Sequence, residues 1–200
     1  MIDSDIQFVD SDHPSWDQYV RNHPKGTVFH TAGVVRVFAG TKGIRPYASA
    51  AVDAGGNIRA LLVSCAVSSV QRFGAFTTRA VQFSEPICDD TEQGVRALTA
   101  LVCEHDRYMQ KRSLFCEVRS IGEAGPERAA LEANGYVHRD YVNYVVDLEP
   151  GVDRLWAGLR KKIRQKIRAT NRRGIEVRDD VSEEGIDRLY ELLQASYRRA

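Results

Sequence analysis

The stretch Pro46-Tyr-Ala-Ser-Ala-Ala-Val-Asp-Ala-Gly-Gly-Asn-Ile-Arg-Ala-Leu-Leu-Val-Ser-Cys-Ala-Val-Ser-Ser69 decides the fold class. Two runs rich in β-formers and alanine, 46–52 and 58–69, flank Asp53-Ala-Gly-Gly-Asn57. Paired glycines between an Asp and an Asn give the backbone its tight reversal, so the stretch predicts a β-hairpin.

Upstream, Ile6 to Val9 reads as a short opening strand. Asp12, Pro14 and Trp16 open a helix with a capping acid, a first-turn proline and an apolar anchor. It ends before His23–Pro24, because a residue preceding proline avoids the helical region. Gly26 follows as a turn, and Thr31 caps a second short helix carrying Val34, Val35 and Phe38.

Downstream, Phe73 to Phe83 continues the sheet irregularly until Glu85–Pro86 breaks it. Thr91 to Lys111 is helical, with Val95, Leu98, Leu101, Val102, His105 and Met109 mostly three or four apart. Leu114 to Arg119 is a strand, Gly125–Pro126 opens a helix closed by Gly135, and Tyr136 to Leu148 reads as a long strand. This alternation predicts an α/β (α+β) chain, a mixed sheet with flanking helices.

Pro150–Gly151 is the expected domain boundary. Beyond it the pattern gives a helix from Val152 to about Arg173, a strand at 175–177 and a helix from Glu183 to about Arg199. Ile186, Leu189, Tyr190, Leu193 and Tyr197 share one face of the last helix. It meets no stop signal and its preceding strand has no evident partner, so the chain reads as a fragment that cuts a second α/β unit.

Charge is distributed unevenly. The total is +1, but eight basic residues and no acidic one lie between Arg160 and Arg173. Twenty basic against 27 acidic residues remain over the other 186 positions, a net of −7. Trp156, Leu159, Ile163 and Ile167 form an apolar stripe, and Arg160, Lys161, Lys162, Arg164, Lys166 and Arg168 cover the rest. A solvated face is the plain alternative, yet solvated faces usually mix signs and relieve repulsion. The run therefore predicts a surface for phosphates, nucleic acid or an anionic membrane face.

Cys65, Cys88, Cys103 and Cys116 form no CxxC pair, and no nearby His completes a zinc spacing. Cys65, Cys103 and Cys116 sit in apolar runs and read as buried free thiols. His105, on an apolar helix face, reads as a core or partner-bonded histidine. A Ser84, His30 and Asp147 set can be drawn, but sequence gives it no geometry. Tyr141, Tyr144 and Asp147 alternate along the expected strand as partial cleft lining or half-buried sheet residues. The first ten residues are acidic rather than signal-like, and the charge-free run 60–71 is about half a membrane span. A cytoplasmic protein with no transmembrane segment is expected.

An ordered set of motifs carries a resemblance. Tyr141-x-x-Tyr144-x-x-Asp147-Leu148 is followed by Leu155-Trp156-x-x-Leu159-x-x-Lys162-x-Arg164-x-x-Ile167-Arg168-Ala169 and Gly174-Ile175-x-Val177. With Gly26 to His30, Tyr47, the Asp53 hairpin, Gly135–Tyr136 and the ending Leu189–Arg199, these resemble the Fem transferases. They are most similar to FemAB-related bacterial proteins built from GNAT-like domains.

The resemblance implies a first GNAT-like domain over 1–150 and the start of a second, incomplete one over 151–200. It implies acyl or aminoacyl transfer, with acyl-CoA or aminoacyl-tRNA as donor and no permanently bound cofactor. The acceptor would be an anionic small-molecule or lipid-linked compound related to peptidoglycan or exopolysaccharide. Peripheral contact with the inner membrane and binding of tRNA follow from the same likeness. Lys162, Arg164 and Arg168 stand on motif positions, and Arg199 on a later one. In peptidoglycan-acting members the helix after the His30 position carries a Trp and a basic residue. Here Val34 and Phe38 stand there and only Arg36 is basic. A non-catalytic tRNA-binding or partner-binding module is the rival reading. Gln71-Arg-Phe-Gly-Ala75 faintly matches the glycine loop that holds coenzyme A pyrophosphate, with a strand end or bulge as its alternative.

Overall fold

The computed structural model describes residues 6–68, 76–120, 125–142, 146–175 and 179–198. It divides into two compact units, 1–140 and 141–200. The division falls ten residues before the expected boundary at Pro150–Gly151.

In the first unit the hairpin forms as the sequence predicts. β2, Ile44–Val52, and β3, Ile58–Ser68, run antiparallel around the 53–57 turn, where Gly56 takes a φ of +77°. Asp53 accepts hydrogen bonds from the backbone of Gly55 and Asn57 and from Arg59, which hold its carboxyl down at about 2. A register shift beside Ala51 and Val52 puts Ile58 and Leu61 on one face of β3. That bulge turns Arg59 toward Asp53 and Asp89, at 2.7 and 3.0 Å.

The sheet runs β1-β2-β3-β4-β6, where β1 is Gln7–Val9, β4 is Thr78–Gln82 and β6 is Cys116–Val118. A two-residue strand not foreseen from sequence, β5 at Ile87–Cys88, pairs back onto β3. Both faces of the sheet are covered, which explains the unbroken apolar run Ala60–Val63. On one face Trp16, Val20, Ala32, Ala50, Leu61 and Ile87 pack together beneath α1, Trp16–Asn22, and α2, Ala32–Gly40. On the other, Leu62 and Ala60 meet Leu98, Leu101, Val102 and Ala130 of α3, Glu92–Met109, and α4, Pro126–Ala133. The expected mixed α/β architecture with flanking helices is what the unit forms.

Local chemistry sets the helix ends. Thr31 and Thr91 accept from the backbone N–H groups of Val34 and Gly94 as N-caps. Asp17 of α1 accepts from the N–H of Ala32, and the Trp16 indole N–H donates 2.8 Å to the His30 carbonyl. His30 itself is a lock. The Thr27 N–H donates to its Nδ1, which fixes the proton on Nε2, and Nε2 donates 2.9 Å to the Glu85 carbonyl.

Burial holds the His30 imidazole below its ordinary value of 6.5. In the unfolded chain the ring takes up a proton as pH falls past that value, while in the fold it does so only at lower pH. The unfolded state then binds more protons, so stability falls with pH below about 6.5. His30→Gln removes this titration. Its urea-unfolding free energy is expected to fall less steeply between pH 6.5 and pH 5 than that of the parent chain.

Three expectations need correction. The stretch expected as a strand from Tyr136 to Leu148 forms none among its described residues, and Val137, Tyr141, Val142, Val146 and Leu148 are exposed. Its alternating pattern finds no ladder there, so period alone could not make it a strand. Residues 143–145, including Tyr144, lie outside the described residues. Cys103, expected buried, is exposed because it falls off the α3 stripe; Cys65 is buried and Cys116 half-buried. Burial raises the thiols of Cys65 and Cys88 to about 12.

The third correction concerns the second unit. The single helix expected over 152–173 is two: α5, Gly151–Gly158, and α6, Lys161–Arg172. Leu159 and Arg160 between them are extended, with ψ near 140°. The break has a chemical reason. Arg164 donates to the carbonyls of Ala157 at 2.8 Å and Trp156 at 3.4 Å, closing the C-terminal end of α5 in place of a further turn. The third helix, α7, is Glu183–Tyr197, capped by Ser182. No residue of α5, α6 or α7 is buried within the unit. The strand expected at 175–177 falls largely outside the described residues.

Candidate functional site

Two regions gather charged and polar groups, one in each unit. In the first unit β4 and β6 are parallel over Ala80↔Cys116, Val81↔Glu117 and Gln82↔Val118. After the Arg119 N–H bonds the Gln82 carbonyl, the strands part, because Phe83 to Pro86 carry the chain across to β5. A gap between the carboxyl ends of parallel strands is where open sheets bind ligands.

Aromatic and charged groups gather there. Phe83 stacks with Phe29 and Phe38 at centroid distances of 5.7 and 5.5 Å. The Arg119 guanidinium lies 5.6 Å over the Phe83 ring. Ser84 and Glu85 are buried, and the Ser84 hydroxyl has no hydrogen-bond partner among the described residues. Lys25 reaches Glu127 at 2.7 Å and Glu85 at 4.0 Å. The sequence marks the break at Glu85–Pro86 and offers Ser84 and Phe38 separately; that Phe83, Phe29 and Phe38 meet at this strand end depends on the fold.

His30 has no nitrogen left to serve a set with Ser84 and Asp147. Both His30 nitrogens are committed to the backbone of Thr27 and Glu85. Tyr141 and Asp147 lie in irregular chain, where Asp147 accepts from the Glu149 N–H. Residues 71–75 lie outside the described residues. The start of α3 carries Asp89, Asp90 and Glu92, which repel a phosphate.

In the second unit α6 presents the cationic block. Its first turn has no acid, and Arg160 gives no side-chain cap, so Arg160, Lys161 and Lys162 crowd around the positive end of the helix dipole. No cation between Arg160 and Arg173 pairs with a carboxylate among the described residues. Two of the predicted residues have an intrachain role. Arg164 closes α5, and the Arg168 guanidinium lies 5.6 Å over the Trp156 ring. Arg160, Lys161, Lys162 and Lys166 are exposed and uncommitted to either task. Arg168 also lines a shallow concavity with Gln165, Asn171 and Arg172. Arg199 lies outside the described residues. No described helix is long and apolar enough to cross a membrane.

No family model matches the chain, and no curated protein matches it. Solved structures similar to it include acetyltransferases. An aminoglycoside 6'-N-acetyltransferase from Acinetobacter baumannii is 14% identical over 71% of this chain and 96% of its own, with a TM-score of 0.47. A ribosomal-protein-alanine N-acetyltransferase from Brucella melitensis is 13% identical over 72% and 98%, with a TM-score of 0.42. An aminoglycoside acetyltransferase from an uncultured soil metagenomic sample, solved with sisomicin, is 15% identical over 72% and 95%, with a TM-score of 0.45. Likeness at this level assigns neither activity nor substrate.

Proposed function

We propose that the chain is part of a GNAT-like, Fem-related acyl- or aminoacyltransferase in which α6 holds the phosphates of an anionic reactant. The observation that carries this reading is the start of α6. There Arg160, Lys161 and Lys162 surround uncapped helix N–H groups with no acid in the first turn. Positive charge set against the helix dipole costs stability in an empty helix and is relieved by a bound anion.

In the reaction an amine of the acceptor attacks the carbonyl of a thioester or ester. A C–N bond forms, the C–S or C–O bond breaks, and the amine proton passes to the leaving thiol or hydroxyl. The protein's part is positioning the two reactants and stabilising the oxyanion. The parting of β4 from β6, walled by Phe83 and Arg119, suits an acyl group with polar surroundings. Acyl-CoA and aminoacyl-tRNA both carry phosphate esters on the molecule that bears the activated acyl group. The acceptor would be an anionic cell-envelope precursor or polysaccharide, met in the cytoplasm or at the inner membrane face. In this reading residues 151–200 begin a second GNAT-like domain.

A non-catalytic tRNA-binding or partner-binding module is the second reading, favoured by the exposed apolar side chains of α7. The absence of aromatic residues between Arg160 and Arg173 argues against single-strand stacking. The test offers acyl-CoA and aminoacyl-tRNA separately with amine acceptors, following release of free thiol or of deacylated tRNA. Transfer from either donor is expected. Binding of both without transfer would favour the second reading.

A further inference from the structure

One polar cluster in the first unit belongs to neither region. His105 and Asp106 near the end of α3, Cys116 on β6 and Tyr136 beyond α4 meet at one place. An imidazole nitrogen of His105, a carboxylate oxygen of Asp106 and the Cys116 sulfur lie within 4.8 Å of one another. His105 is fully buried. Its Nδ1 is 2.8 Å from Asp106 Oδ1, and its Nε2 has no hydrogen-bond partner among the described residues. Buried imidazole nitrogens are normally paired, so an unpaired one calls for a physical reason.

The geometry points to a site for a divalent transition ion of the zinc class, held by His105, Asp106 and Cys116. Nitrogen, oxygen and sulfur donors in this combination suit zinc, and three protein ligands leave a fourth position for water or a small anion. The surroundings are those of ligands held in place. Tyr136 Oη donates 2.7 Å to Asp106 Oδ1, and Gln82 Nε2 lies 3.9 Å from the Cys116 sulfur. Asp106, Cys116 and Tyr136 are half-buried rather than sealed, which leaves a route for the ion. On binding, the Cys116 S–H bond is replaced by a metal–sulfur bond and one proton leaves to solvent. His105 and Asp106 are neighbours on α3 and Cys116 follows across the turn to β6, so no CxxC or HxxxH pair marks them in the sequence.

The experiment titrates Co²⁺ into the whole chain and reads absorbance. A thiolate-to-cobalt charge-transfer band with tetrahedral visible bands is expected, and added Zn²⁺ should abolish both. Cys116→Ala should remove the charge-transfer band, while Cys103→Ala should keep it. His105→Gln should weaken binding by at least the roughly 10- to 100-fold that losing a supporting partner costs. Zn²⁺ should also raise the melting temperature of the unsubstituted chain, since an ion that binds only the folded state stabilises it. No charge-transfer band at saturating cobalt, or a band that survives Cys116→Ala, would overturn the assignment.

Discussion

Trp16→Ala should lower the unfolding free energy of the first unit by about 3–5 kcal/mol, the cost of emptying a large aromatic site in a close-packed core. Trp16 is 1% exposed and sits among Val20, Ala32, Leu61 and Ile87, so it joins α1 to both strands it covers. Its indole N–H also satisfies the His30 carbonyl, which becomes an unpaired acceptor in the variant. The loss therefore belongs near the top of the range. Thermal unfolding should show a fall of roughly 10–20 °C at about 2–4 °C per kcal/mol. Val28→Ala, at a residue 61% exposed, should move the midpoint hardly at all.

The second large effect concerns Lys25. Its ammonium lies between two carboxylates that the fold buries, Glu127 and Glu85, with side chains 5% and 3% exposed. Lys25→Met keeps the length of the side chain and removes the charge. Glu127 retains the Gly125 N–H but loses the cation 2.7 Å away. Removing one partner of a buried pair strands the other, at about 3–5 kcal/mol; Lys25 is 29% exposed, which brings the expectation down to about 2–4 kcal/mol. The test is a double-mutant cycle with Glu127→Gln by urea unfolding. The pair should show a coupling of about 1–3 kcal/mol, because the neutral amide no longer needs the ammonium. Additive losses would mean that Lys25 acts only through its packing.

Much of the first unit was legible because its signals are local. The turn at 53–57, the cap at Thr31 and the stop at His23–Pro24 each depend on residues within four positions. The α3 stripe even contained the exposure of Cys103, since that residue lies off the spacing set by Leu98, Leu101, Val102 and His105. What sequence did not reveal depends on distant partners. β5 exists only because the chain after Pro86 finds the Ala60–Leu61 edge of β3. The stretch 136–148 has a strand's alternation, yet no described part of it is a strand. The break at Leu159–Arg160 rests on Arg164 reaching back to Ala157, and no periodicity encodes that. The same contact divides the cationic block. The resemblance set Lys162, Arg164 and Arg168 apart together, whereas the fold gives Arg164 and Arg168 the contacts that join α5 with α6 and leaves Arg160, Lys161, Lys162 and Lys166 outward.

That division allows the direct test. Arg160, Lys161, Lys162 and Lys166 are changed together to Glu in the whole chain, leaving Arg164 and Arg168 in place. Binding of pyrophosphate and of tRNA is then measured from low to high salt. The account requires tight, salt-sensitive binding by the unsubstituted chain, with log affinity falling linearly against log salt, and its loss in the variant while helix content by circular dichroism is kept. Equal affinity and equal salt slope in the two proteins would show that α6 is an ordinary solvated face.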